Sequence, residues 1–298
     1  MTTTTTETET QVAQQLFTAY QTQHALTMAD FTSSVVDEDA AYRVQAALTA
    51  LKQQPVGGYK VSLTSAETQK MFDAHTPLYG VQVADHFLAA PTTVRRGQLM
   101  DPLVEVELVF KAKEDLSTTD SLTDLWQKTT VAPGLELPDS RFADWFPDLP
   151  KNLVVADAAV GGLVVYGTER ETAELFASAD AVATSKCTLV HDGGTVKTGQ
   201  ASEVLGNPLE SLKWLVGKLA EQGKTLTAGQ RVSSGTFVLP PHLTAGHWQA
   251  DFDAGLGQVA LDVTEDLSKI NHEKGLHKCH DIYEGLFEVL LNECFSDD

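Results

Sequence analysis

Cysteine, positive charge and long apolar runs are all scarce in this sequence. Its 298 residues hold three cysteines, Cys187, Cys279 and Cys294. They are too few and too scattered for a disulfide framework, and the expected setting is the cytoplasm. Lys and Arg number 21 against 41 Asp and Glu, a formal charge of −20. Such a chain lacks the basic footprint that nucleic acid or an anionic membrane demands. No apolar run approaches the roughly 18 residues needed to span a bilayer. The opening tract, residues 1–10, is rich in Thr and Glu. It has neither the basic nor the apolar region of a signal peptide and reads as a disordered tail. An acidic protein acting on an anionic substrate needs a local positive charge, and a bound metal ion would supply one.

What is present falls into three stretches. Val12, Leu16 and Tyr20 recur at helical spacing, as do Tyr42, Ala47, Leu48 and Leu51 before Pro55, so residues 11–56 read as a helical cap. From residue 57 the texture turns to short β-like runs: 58–63, 103–111, 153–157, 163–166, 187–191, 231–237 and 258–263. Asn207 and Pro208 supply a cap and a first-turn proline for one long helix striped by Leu209, Leu212, Leu215 and Leu219, with Gly223 as its stop. Helices first, then mostly strands, argue an α+β fold with its main body at 57–266. Residues 267–298 read as an appended amphipathic helix through Ile282, Leu286, Val289 and Leu290. His272, His277, Cys279 and His280 in that tail lack the matched second ligand pair that a closed zinc site needs.

The run Leu103–Phe110 carries the chemistry. Alternation places Val104, Val106, Leu108 and Phe110 on one face and Glu105 with Glu107 on the other, between Leu103 and Val109. One reading is an edge strand whose glutamates meet water. The other is a partly buried pair of carboxylates, which repel unless a cation joins them. A hard ion such as Mg²⁺ or Mn²⁺ takes oxygen ligands and leaves positions for substrate, and it would ask for a third acid from elsewhere.

Several segments resemble the hydratase/decarboxylase branch of the fumarylacetoacetate hydrolase superfamily, whose members act on 2-oxo-alkenoates. They are Gly58-Tyr59-Lys60-Val61-Ser62-Leu63-Thr64-Ser65, Val104–Leu108, Leu135-Glu136, Asp139-Ser140-Arg141-Phe142, Val155-Ala156-Asp157 and Val204–Leu209, in family order. The resemblance implies a mixed β-roll, a Mg²⁺ (or Mn²⁺) site of Glu105, Glu107 and a Glu136 from a later loop, and Lys60 as the active-site lysine. It further implies substrate contacts at Thr64, Ser65, Leu78 and Thr236, and a role for Asp157, either catalytic or supporting. By itself, Lys60 reads equally as a solvated strand residue, and Thr236 as part of a glycine turn.

Two departures from the family pattern bear on activity. Pro77-Leu78-Tyr79-Gly80 has an aliphatic residue where hydratases carry an acid, which resembles the decarboxylase relatives. Ala156-Asp157-Ala158-Ala159-Val160-Gly161 lacks the hydroxyls of the family's A-D-N-A-S-S loop. The expected function is therefore a metal-dependent lyase that decarboxylates a 2-oxo-3-enedioate. A 2-oxopent-4-enoate-type hydratase and a catalytically weak binding or scaffold paralogue are the alternatives. The resemblance also implies a homo-oligomer with a small 2-oxo acid as substrate, associating with an enzyme of the same pathway.

Overall fold

A computed structural model describes residues 5–265 of the chain. Its helices are α1 (Glu7–Thr22), α2 (Glu38–Leu51), α3 (Ala66–Met71), α4 (Leu122–Gln127), α5 (Lys151–Ala156), α6 (Thr172–Leu175) and α7 (Pro208–Glu221). Its strands are β1 (Val56–Ser62), β2 (Leu78–Val83), β3 (Phe87–Ala89), β4 (Thr92–Arg95), β5 (Glu105–Ala112), β6 (Thr129–Leu137), β7 (Leu163–Tyr166) and β8 (Arg170–Glu171). The last five are β9 (Lys186–His191), β10 (Gly194–Gln200), β11 (Arg231–Ser233), β12 (Gly246–Phe252) and β13 (Gly257–Thr264). The appended helix expected at 267–298, with its histidines and Cys279, lies outside the described residues.

The larger sheet runs β2-β1-β11-β5-β6-β7-β3, with β8 added to β6, and the smaller runs β10-β9-β12-β13-β4. Parallel pairings (β1 with β11, β3 with β7, β13 with β4) mix with antiparallel ones. The α+β expectation and the mixed roll therefore hold. In α7, Asn207 Oδ1 accepts the Leu209 amide at 3.0 Å, and Leu209, Leu212, Leu215 and Leu219 are all fully buried. The helix packs that stripe on β1 and α4. One continuous apolar cluster joins Val12, Leu16, Val44 and Leu48 of α1 and α2 to the strands and to α5. The cap is thus a stretch of sequence whose core is shared with the roll.

Three expectations need correction. Composition suggests a tail through residue 10, but α1 begins at Glu7. Thr6 and Glu9 form a reciprocal capping box, and Glu9 pairs with Arg43 at 2.7 Å. The apolar run at 153–157 reads as a strand, but 151–156 form α5. A short apolar run with two valines looks the same either way, and packing against α2 decides it. The Gln45 side chain of α2 seals the contact by donating to the Val155 carbonyl at 2.7 Å. Glu136 was expected from a loop, yet it belongs to β6. Pro133-Gly134 reads as a turn in sequence, whereas here it lies inside the strand, with the Pro133 carbonyl accepting the Gly167 amide at 2.8 Å.

Candidate metal centre and active site

The register of two neighbouring strands builds the site. In the antiparallel β5–β6 ladder Glu105 stands opposite Glu136, and Glu107 opposite Gly134. Directly opposed residues share a face, and so do residues two apart along a strand. All three glutamates therefore converge. One carboxylate oxygen from each lies within 4.8 Å of the others. Glu107 and Glu136 are each 1% exposed. On the far side of β5, β11 orients Glu107: Ser233 Oγ donates to its Oε2 at 2.5 Å and the Gly235 amide at 2.8 Å. Gly235 has φ +115°, and a Cβ there would meet Thr64 Oγ1 at 2.3 Å, so only glycine brings this amide in.

Lys60 reaches the cluster from β1, where it is the parallel partner of Ser233. It is 1% exposed, and its ammonium forms an ion pair with Glu136 Oε1. Glu136 Oε2 is buried and accepts no hydrogen bond from any described residue. Three carboxylates thus face one ammonium inside the protein. Burial, then Glu136, pushes the Glu105 carboxyl up to about 8, with Lys60 pulling against them. Burial, then Glu136 and Glu105, holds Glu107 well above the usual carboxylate range despite its two donors. For Lys60, burial pulls the ammonium down, but Glu136, Glu105 and Glu107 outweigh it and the net shift is upward. The orphaned oxygen, the all-oxygen donor set and the surplus of acid fit a hard divalent cation.

A narrow cavity of about 50 Å³ opens beside this centre. Lys60, Glu105, Glu107, Ser62, Thr64, Thr68 and Thr236 give its polar side, and Phe72, Leu103, Trp145, Phe146, Val154, Val160 and Pro240 its apolar side. Thr68 and Thr236 also border an open groove of about 650 Å³. Trp145 is anchored by its indole N–H on the Asp101 carbonyl at 2.8 Å. Val160 ends a turn in which Ala158, Ala159 and Val160 have φ of +54°, +55° and +50°. A left-handed residue other than glycine costs about 1–2 kcal/mol, and a β-branched one is an outlier. This wall is held under strain.

The structure brings Glu105, Glu107, Glu136, Lys60, Thr64 and Thr236 together. Ser65 lines the outer groove, and its hydroxyl caps α3 by accepting the Thr68 amide at 3.1 Å. Leu78 is buried on β2 and does not line the cavity; its register partner Ser62 does. Asp157 is held by its own neighbours. Oδ1 accepts Arg141 Nε at 2.6 Å, while Oδ2 accepts Ser140 Oγ and the Arg141 amide, each at 2.9 Å. Its acceptors are filled by Ser140 and Arg141 and it does not line the cavity, an arrangement that fits the supporting one of the two roles open to it rather than the catalytic one. Reading the sequence missed Phe72, Trp145 and Phe146 as lining. The aromatic cluster Trp145-Phe146-Pro147 in a loop was the available signal.

The chain is 31% identical to a 2-keto-4-pentenoate hydratase of Burkholderia vietnamiensis, over 77% of this chain and 87% of that protein. The chain belongs to the hydratase/decarboxylase branch of the fumarylacetoacetate hydrolase superfamily. It is a lyase-type enzyme. Within the branch it is also 28% identical to a 2-oxo-hept-4-ene-1,7-dioate hydratase of Escherichia coli, over 78% of this chain and 89% of that protein. The same fold occurs in 4-oxalocrotonate decarboxylase from Pseudomonas putida G7, solved with magnesium and adipate. The TM-score is 0.79 at 24% identity, covering 88% of this chain and 99% of that one. No family model matches the chain. Among the described residues, no helix is long and apolar enough to cross a membrane.

Proposed function

We propose that this superfamily member is a Mg²⁺- or Mn²⁺-dependent lyase of 2-oxo-alkenoates that removes CO₂ from a 2-oxo-3-enedioate, leaving a 2-hydroxydienoate. One observation carries the choice of reaction. Among the described residues, the carboxyl groups lining the cavity are those of the glutamate cluster, and no further acid lines it to serve hydration. Hydration across an alkene needs a group that steers water and protons. Decarboxylation needs an electron sink and a poorly solvated leaving carboxylate.

Glu105, Glu107 and Glu136 would hold the ion, which when bound supplies Lewis acidity at the 2-oxo group. Ser233 and Gly235 keep the Glu107 carboxylate aimed. When the C–C bond to the distal carboxylate breaks, its electron pair runs through the conjugated chain to the 2-oxo oxygen. Lys60 places a fixed positive charge beside that oxygen and is positioned to give it the proton of the 2-hydroxy product. Phe72, Trp145, Phe146 and Val160 keep water off the leaving carboxylate, which favours neutral CO₂.

A second reading, hydration of 2-hydroxypenta-2,4-dienoate to 4-hydroxy-2-oxopentanoate, is favoured by the 31% identity to a 2-keto-4-pentenoate hydratase. Thr64 and Thr236 would then have to steer the water. Purified protein with Mg²⁺ and 2-oxohex-3-enedioate is expected to release one CO₂ per substrate consumed. Turnover of the dienoate with no CO₂ from the enedioate would replace the first reading by the second.

A further inference from the structure

Arg141 is a buried cation with no place in the reaction described above. It is 4% exposed and lines a separate cavity, with Tyr20, His86 and Asp139, behind the active-site wall. Its guanidinium donates to both ends of the strained turn: Nη2 to the Asp157 carbonyl at 3.0 Å and Nη1 to the Gly161 carbonyl at 2.7 Å. Nε binds the Asp157 carboxylate, which returns to the Arg141 amide and Ser140. Between these anchors lie Ala158, Ala159 and Val160, all left-handed.

The surroundings close the same turn. The Asp139 amide donates to the Val160 carbonyl at 2.8 Å, and the Asp139 carboxylate accepts the Met100 and Asp101 amides. The Asp101 carbonyl in turn holds Trp145. Gly80 and Gly162 let backbone press on either flank; a Cβ would meet the Ala158 carbonyl oxygen at 1.8 Å and the Leu137 carbonyl oxygen at 2.0 Å. A conformation disfavoured at three successive residues persists only where its surroundings over-determine it.

We propose that Arg141 is a positioning residue: it ties both ends of the left-handed turn and so holds Val160 as a rigid apolar wall over the carboxylate centre. It touches neither metal nor substrate and acts through the turn alone. The kinetic part of the test rests on the lyase reading; the amide-exchange part does not.

The test compares wild type, Arg141→Lys, and Arg141→Lys combined with Ala158→Gly and Ala159→Gly, each as full chain with Mn²⁺. Lysine keeps the charge but cannot fork to two carbonyls, whereas glycine adopts a left-handed turn without strain. In R141K the Gly161 and Asp139 amides are expected to exchange hydrogen about tenfold faster or more. The β5–β6 ladder amides and Mn²⁺ affinity should stay as in wild type. KM for whichever substrate is turned over should rise about fivefold or more with a smaller change in kcat, the pattern of lost substrate positioning. The glycine pair should restore exchange and KM to within about threefold of wild type. Wild-type exchange and KM in R141K would overturn the proposal. So would equal loosening of the β5–β6 ladder, or no recovery in the glycine background. Should R141K fail to fold, folding of the triple variant supports the clamp, and its failure overturns it.

Discussion

Two buried ionic clusters in this enzyme are built on opposite principles. At Arg141–Asp157 each charge faces its opposite, and both Asp157 oxygens are filled by donors. At Glu105, Glu107 and Glu136, three acids share one lysine, and a buried Glu136 oxygen has no donor among the described residues. Proteins rarely leave buried polar atoms unpaired, so the saturated cluster reads as framework and the unsaturated one as a site awaiting a ligand.

The comparison breaks most sharply at Glu107. Glu107→Gln keeps shape and removes a ligand charge, so metal-dependent turnover should fall on the order of 10³-fold or more while circular dichroism and melting stay near wild type. A turnover assay over a range of Mg²⁺ concentrations checks it, and an unchanged rate would remove the ligand assignment. Asp157→Ala should do the reverse. Leaving Arg141 buried without its partner is expected to cost about 3–5 kcal/mol of stability. Urea unfolding read by tryptophan fluorescence measures that loss, while Mn²⁺ affinity of the folded fraction should be retained.

A smaller effect belongs to His86, which sits on the Arg141 side. Its Nδ1 meets Gln82 Oε1 at 2.7 Å and its Nε2 the Tyr20 hydroxyl at 3.3 Å. Burial, with Lys52 and Arg141 adding to it, holds the imidazole well below 6.5. Unfolding frees it to take a proton, so below that pH the unfolded chain binds more protons and stability falls on acidification. The slope from this group should approach about 1.4 kcal/mol per pH unit as pH falls below 6.5, until the folded imidazole itself takes a proton, and melting curves of His86→Gln should lack that component. An identical acid slope in the variant would assign the loss elsewhere.

How far the site was legible follows from its physics. Strand alternation made the Glu105–Glu107 face readable, and capping signals made α7 readable to within two residues at its C-terminal end. The position of Glu136 was not, because partnership across strands depends on register, and Pro133-Gly134 imitates a turn. Leu153–Asp157 misled because a buried helix turn and a buried strand use the same residues. Thr6 and Glu9 cap α1 inside a Thr/Glu-rich tract whose composition suggests disorder. The aromatic wall escaped because it forms only when two segments distant in sequence, the end of α3 with Phe72 and the loop with Trp145 and Phe146, line the same cavity. Asp157 was noticed through its motif, but its geometry alone shows that Arg141 occupies it.

The central claim is that three glutamates bind one divalent cation. Its most direct test is a crystal of wild-type protein grown with Mn²⁺, with diffraction collected at the manganese absorption edge. A single anomalous peak is expected within metal–oxygen bonding distance of Glu105, Glu107 and Glu136. Manganese elsewhere, with all three carboxylates unligated, would contradict the account.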